Sequence, residues 1–219
     1  MFIEQPPEFV RKLYPGAIWR MDPNEKAVYL TFDDGPIPEV TPWVLELLDK
    51  HNIKATFFMV GQNVERYPEV FEMVKREGHT LGCHTMHHLQ GTHVTTMRYM
   101  LDVARSSRLI GTTLFRPPHG WLRPRQALRI AKEYTVVMYD LVTRDYSRKL
   151  TAEQVLANVK RYARPGAIIV FHDSLKSLPR LTEALPKAIE WLIEEEYTFD
   201  TLQQFQHQSN VLSNAASDE

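Results

Sequence analysis

A single cysteine, Cys83, stands in 219 residues, so no disulfide can form within the chain and its stability must come from a packed core. Neither charge is in surplus, since 26 basic residues face 27 acidic ones. That balance argues against a nucleic-acid or anionic-membrane surface and for a neutral or weakly charged substrate. No stretch approaches the roughly 20 apolar residues of a bilayer span. Residues 1–16 have no apolar h-region, with Glu4, Glu8, Arg11 and Lys12 scattered among them. No signal peptide is read there, and a cytoplasmic location is expected. Repeats and low-complexity segments are also missing.

What is present is an alternation. Short apolar, β-branched or aromatic runs at 27–32, 55–60, 79–84, 113–118, 135–142, 167–172 and 198–202 read as strands. Between most of them lie amphipathic stretches. Residues 40–50 place Val44, Leu47 and Leu48 at helical spacing, and 68–76 begin with a proline suited to a first helical turn. Thr151-Ala152-Glu153-Gln154 has the form of a capping box. The segment 181–196 is helical in pattern, and Pro186 is expected to kink or divide it. Residues 1–26 form an extension packed on the core, because Phe9, Leu13, Tyr14, Ile18 and Trp19 are too apolar for a free arm. Residues 27–207 form the body, and 208–219, polar and rich in small residues, a flexible tail. Strand–helix alternation implies a parallel sheet. The polar clusters fall at the C-terminal ends of several different runs. That pattern fits an α/β barrel of about seven strands better than an open sheet, which would gather them at one switch point.

Five clusters carry chemistry. In Thr31-Phe32-Asp33-Asp34-Gly35-Pro36, adjacent carboxylates follow a strand, an arrangement that is costly near a dry site unless a cation or base shares them; alternatively they are a solvated turn. In His84-Thr85-Met86-His87-His88, imidazoles at i and i+4 could share a metal, and spacing alone does not choose between His87 and His88. Five of the nine histidines lie between His79 and His93, which weakens the reading of a mere surface loop. In Phe115-Arg116-Pro117-Pro118-His119-Gly120 the prolines stiffen an arginine suited to holding a carboxylate. Arg144-Asp145-Tyr146 and Val170-Phe171-His172-Asp173 each end a strand, and alone could be a loop acid and a satisfied core histidine. Cys83, next to His84 on an extended run, should face away from any metal and pack.

Taken together, these clusters resemble, in order and spacing, those of the polysaccharide deacetylase (NodB-homology) family, also called carbohydrate esterase family 4, over about residues 26–202. Thr31 to Pro36 looks like its first motif, His84-Thr85-x-x-His88 like its second, and Arg116-x-Pro118-x-Gly120 like its third. Asp145-Tyr146 and Val170-x-His172 are similar to the fourth and fifth, and 55–58 also looks like the family. The resemblance implies a distorted (β/α) barrel that removes N-acetyl groups from N-acetylglucosamine-containing glycans with the help of a divalent metal. Zinc fits best, and cobalt or nickel are alternatives. It implies Asp34, His84 and His88 as metal ligands, Asp33 as general base and His172 as general acid. Arg116 would hold Asp33, Asp145 would orient His172, the His119 backbone N–H would bind the oxyanion, and Pro118, Tyr146 and Val170 would line the substrate pocket.

Several positions depart from the family pattern. His119 stands where Tyr or Phe is usual, Tyr146 replaces Trp, Val170 replaces Leu, Leu89 replaces Pro, and the 88–116 stretch is short. These changes bear on the walls of the pocket, hence on specificity. Two other functions compete: an O-acetyl esterase on xylan or another glycan, which would need less help from His172, and a carbohydrate-binding barrel without turnover. No Gly-x-Ser-x-Gly elbow, His-Glu-x-x-His helix, P-loop or dinucleotide fingerprint is present.

Overall fold

The structure, a computed structural model, describes residues 4–205. Its strands are β1 (Ala27–Asp33), β2 (Thr56–Met59), β3 (Thr80–Cys83), β4 (Leu114–Phe115), β5 (Thr135–Val136), β6 (Leu141–Val142), β7 (Ala167–His172) and β8 (Thr198–Phe199). Its helices are α1 (Glu8–Arg11), α2 (Thr41–Lys50), α3 (Gly61–Arg66), α4 (Pro68–Arg76), α5 (Thr96–Ile110), α6 (Pro124–Ile130), α7 (Ala152–Tyr162) and α8 (Leu178–Glu194). The strands run in the order β5-β4-β3-β2-β1-β7-β6, with β8 added on β1, and every ladder is parallel. This is a curled, distorted (β/α) barrel. Strand β1 is buried along its whole length, which is why its sequence is near-continuously apolar instead of alternating. The barrel interior is filled by Tyr29, Phe58, Leu114, Val137, Ile168 and Leu202, so it is a packed core and not a pore. Outside it, α2 lays Val44, Leu45 and Leu48 on the sheet, each worth about 1.5–3 kcal/mol of burial.

The expected strand at 135–142 is two short strands, for a reason that bears on the site. Its first part pairs with β4, the Val137 N–H reaching the Phe115 carbonyl; its last part pairs with β7, the Asp140 N–H reaching Ile168. One run thus crosses from one edge of the sheet to the other and closes the barrel. Ile18 fills the gap it leaves, donating to the Val136 carbonyl and accepting from the Met138 N–H. Arg20 bridges Ala167 on the far side. Asp140, fully buried at the seam, is held by Arg11 at 2.5 Å and by both Nε and Nη2 of Arg164 at 2.7 and 2.6 Å. Within this N-terminal segment Tyr14 and Trp19 are buried, whereas Phe9 and Leu13, expected to pack, are 70% and 59% exposed.

Pro186 does not divide the last long helix, which runs unbroken through it. A single missing N–H is tolerated because Leu181, Leu185, Ile189 and Leu192 anchor one face in the core. Thr151 and Gln154 make the reciprocal capping box that starts α7. None of the helices among the described residues is long and apolar enough to cross a membrane. The expected tail at 208–219 lies outside the described residues.

Candidate active site

The C-terminal ends of β1, β3, β4, β6 and β7 converge on one cavity of about 180 Å3. Its walls include Asp33, Asp34, His84, His88, Arg116, His119, Tyr146, Val170 and His172. Five non-glycine residues near it, Asp34, Thr85, His88, His119 and Arg144, have φ between 51° and 83°. Such left-handed conformations are costly for residues other than glycine and persist where the surroundings enforce them, as at functional sites.

Arg116 forms the floor. Its side chain is 2% exposed and lies over the Phe58 ring, 4.1 Å from the centroid. Nη1 donates to Asp33 Oδ1 at 2.7 Å and to Thr31 Oγ1 at 2.8 Å, and Nη2 donates to the Met138 carbonyl at 2.9 Å. One Asp33 oxygen is thereby fixed, while Oδ2 faces His84 Nε2 at 4.0 Å.

His84 Nδ1 lies 2.9 Å from the Arg116 carbonyl oxygen. A carbonyl only accepts, so Nδ1 carries the proton and the lone pair sits on Nε2. Burial pushes the pKa of His84 down to about 4, which keeps the ring neutral. Its Nε2 lies 3.8 Å from Asp34 Oδ1, and His88 Nε2 lies 3.1 Å from the same oxygen. Burial alone would raise the pKa of Asp34, but His88, His172 and His84 hold it well below the ordinary carboxylate range. Asp34 Oδ1 is a buried acceptor without an aligned hydrogen bond. Two imidazoles and an orphaned carboxylate oxygen, with one ligand atom each within 4.8 Å of the others, suit a first-row dication. The tautomer of His84 fits as well, its outward nitrogen being fixed by a backbone acceptor. His87, the alternative to His88, turns away: its Nδ1 pairs with Asp102 Oδ1 at 2.6 Å. Cys83 is fully buried and directs Sγ to the Val103 carbonyl.

His172 is the register partner of Asp33 on the adjacent strand. Its Nδ1 meets Asp145 Oδ1 at 2.8 Å, and its backbone N–H donates to Asp145 Oδ2 at 2.7 Å. Burial opposes a charge on this ring, but the fully buried Asp145 outweighs it and holds the pKa up at about 9. Tyr146 packs its ring edge-on to His172, with centroids 4.8 Å apart. Val170, Val142 and Tyr139, with Tyr146 against them, make a small apolar patch on the wall. Pro118, expected on that wall, is buried at the start of a 3-10 turn, and Pro117 lines the cavity in its place. His119 packs its ring edge-on to His88 with centroids 4.8 Å apart, a contact that the reading of a backbone role did not anticipate. Thr41, Asp102, Asp173 and Lys176 also border the site or brace it. Of these only Asp173 belongs to one of the five sequence clusters, and its neighbours in sequence point to no role for it.

Residues 20–139 match the sequence profile described as polysaccharide deacetylase. A peptidoglycan-N-acetylglucosamine deacetylase of Bacillus cereus is 33% identical over 193 residues, 84% of this chain and 90% of that protein. A chitooligosaccharide deacetylase of Azorhizobium caulinodans is 33% identical over 72% of this chain and 79% of its own length. Among solved structures, that of the Bc1960 peptidoglycan N-acetylglucosamine deacetylase superposes with a TM-score of 0.84 at 28% identity, covering 91% of this chain and 96% of that one.

Proposed function

The chain belongs to the polysaccharide deacetylase family, and from that premise we propose that it hydrolyses the N-acetyl groups of N-acetylglucosamine-containing glycans with a divalent metal, zinc by preference. The observation that carries this reading is the meeting of Asp34, His84 and His88 in the cavity that also holds Asp33 and the His172–Asp145 pair. The curated relatives named above act on peptidoglycan and on chitooligosaccharide, which share that acetylated sugar.

Asp34 Oδ1, His84 Nε2 and His88 Nε2 would hold the ion, three ligands that leave room for a small molecule. When bound, the ion supplies a Lewis acid that polarises the acetyl carbonyl and acidifies water. Asp33, with Oδ1 fixed by Arg116, offers Oδ2 as the base that takes a proton from the attacking water. The backbone N–H of His119, a residue that lines the cavity, would donate to the carbonyl oxygen as negative charge gathers there. The patch of Tyr139, Val142 and Val170 suits the acetyl methyl group. His172, held charged by Asp145, gives its proton to the departing nitrogen, which would otherwise leave as a very poor anion. Products are acetate and a free amino sugar.

Acetate release from N-acetylated chito-oligosaccharides by zinc-loaded protein is the direct test, with acetylated xylan in parallel. We expect release from the chito-oligosaccharides that falls to background after chelation and returns with zinc. Release from xylan alone would replace this reading with an esterase, and metal-retaining protein that is silent on both would replace it with a binding barrel.

The pH profile is a second test. Because the pKa of His172 is raised above its ordinary 6.5 to about 9, its acid form dominates through neutral pH and is lost as pH climbs through 9. By the same linkage, the stability supplied by the His172–Asp145 pair is complete below pH ~6.5 and lost through that alkaline range. Asp145→Asn removes the neighbour that most favours the charged ring. The alkaline limb of kcat/KM should then move at least about one unit toward acid. An unmoved limb would mean that another group sets it.

A further inference from the structure

We propose that Asp173 is a positioning residue that sets the orientation of the metal-ligating Asp34 by gripping the backbone on both sides of it. The inference rests on Asp34 being a ligand, as proposed above.

Asp173 follows His172 at the end of β7 and is 1% exposed, yet among the described residues it faces no basic side chain within bonding reach. Its bonds go to the neighbouring turn. The Asp173 N–H donates to the Asp33 carbonyl at 3.1 Å, and its Oδ1 accepts the Gly35 N–H at 3.0 Å. These are the residues immediately before and after Asp34. The other oxygen, Oδ2, accepts the Thr41 hydroxyl at 2.6 Å. Thr41 Oγ1 in turn accepts the Ile37 N–H at 2.8 Å, so the grip extends through the turn into the start of α2. On the other side of the turn, the Val60 N–H and Asn63 Nδ2 bind the carbonyls of Gly35 and Asp34. Asp173 alone among these contacts supplies the acceptor for the Gly35 N–H.

Two further features show how tightly the carboxylate fits. A Cβ on Gly35 would lie 2.0 Å from Asp173 Oδ2, so the carboxylate occupies the space a side chain would take. Asp34 itself has φ 83°, a conformation that a free chain rarely visits and that must be imposed. Without the carboxylate the Gly35 N–H loses its acceptor and the turn can relax toward ordinary φ values, which would swing the Asp34 carboxylate away from His84 and His88. A misplaced ligand costs affinity and changes coordination geometry, as loss of outer-shell support does at metal sites.

The charge of Asp173 is not what the contacts need. An isosteric amide can accept the Gly35 N–H with its oxygen and turn its NH2 to Thr41 Oγ1. Asp173→Asn is therefore expected to behave like the parent, and Asp173→Ala is not.

The experiment is a Co2+ titration of the metal-stripped full chain, read by calorimetry and by the visible absorption of the bound ion. We expect Asp173→Ala to bind Co2+ at least tenfold more weakly with altered bands, and Asp173→Asn to keep both close to wild type. Thr41→Val, a milder lesion, should fall between them and Thr41→Ser should restore. Val44→Ala, a core lesion in α2 outside the cavity lining, should lower Tm and leave the bands unchanged, separating positioning from loss of stability. Wild-type affinity and bands in both Asp173→Ala and Thr41→Val overturn the proposal. If wild type itself takes up no Co2+, the ligand assignment falls, and the role given to Asp173 falls with it.

Discussion

Asp33→Asn is expected to cut kcat on an N-acetylated chito-oligosaccharide by about 10²–10⁴-fold, the span general-base catalysis normally contributes. Zinc affinity should stay close to wild type, because Asp33 is not among the three clustered ligand atoms. The fold should survive. The amide oxygen can still accept from Arg116 Nη1, whose bond to Oδ1 is 2.7 Å, and the guanidinium keeps its other acceptors. The loss should therefore appear in kcat at saturating zinc and not in metal content. An Asp33→Asn protein that turns over at the wild-type rate would remove Asp33 from the chemistry and leave it as a bracket for Arg116.

Arg116→Met has its largest expected effect on stability. The guanidinium is 2% exposed and pairs with Asp33 at 2.7 Å, so its removal strands a carboxylate that is itself 7% exposed. Breaking a buried pair from one side costs about 3–5 kcal/mol. Thr31 Oγ1 and the Met138 carbonyl lose a donor as well. For a chain of this size such a loss corresponds to a fall in Tm of roughly 10 °C, since each kcal/mol is worth about 2–4 °C. Urea unfolding of the metal-free protein measures it without the contribution of bound ion. A variant as stable as wild type at pH 7 would show that the pair is not the floor of the barrel mouth.

Much of this arrangement is legible in the sequence. Strand ends and metal-site motifs coincide because parallel strands direct their C-terminal ends to one face, and short buried strands are written as plain apolar runs. β7 has the expected bounds for that reason, and α4 has them because Pro68 marks its first turn. The 15-residue α5 was missed because its pattern is partly inverted: Asp102, Ser106 and Ser107 turn inward, while Met97, Leu101 and Leu109 are 61%, 64% and 41% exposed. Asp102 is buried because its Oδ2 takes the Met86 and His87 N–H groups and its Oδ1 takes the His87 ring, a partnership 15 residues away in sequence that no periodicity reports. Spacing from His84 does not choose between His87 and His88 for the same reason, since it cannot report the pairing of the His87 ring with Asp102. Thr41 was equally silent. It reads as an ordinary start to a helix, and its hydroxyl matters only because Asp173, 132 positions on, folds back to meet it.

The closure of the barrel also governs how the protein can be made. Strand β1, lying between β2 and β7, emerges early, yet its six-residue register with β7 waits for residues 167–172, and Ile18 and Arg20 wait for Val137 and Ala167. Contacts across more than a hundred residues come late in folding because the chain loop must close before they reward it. Until then the β7-facing edge of β1 leaves its backbone N–H and C=O groups unpaired, along a strand whose Val28, Leu30 and Phe32 are strongly apolar. A ribosome that stops anywhere before β7 releases a chain with that edge exposed, a template for association with its own kind. Truncated products should accumulate as aggregates and not as a smaller folded domain, and a screen for soluble fragments of this chain should return none that ends before β7 is complete.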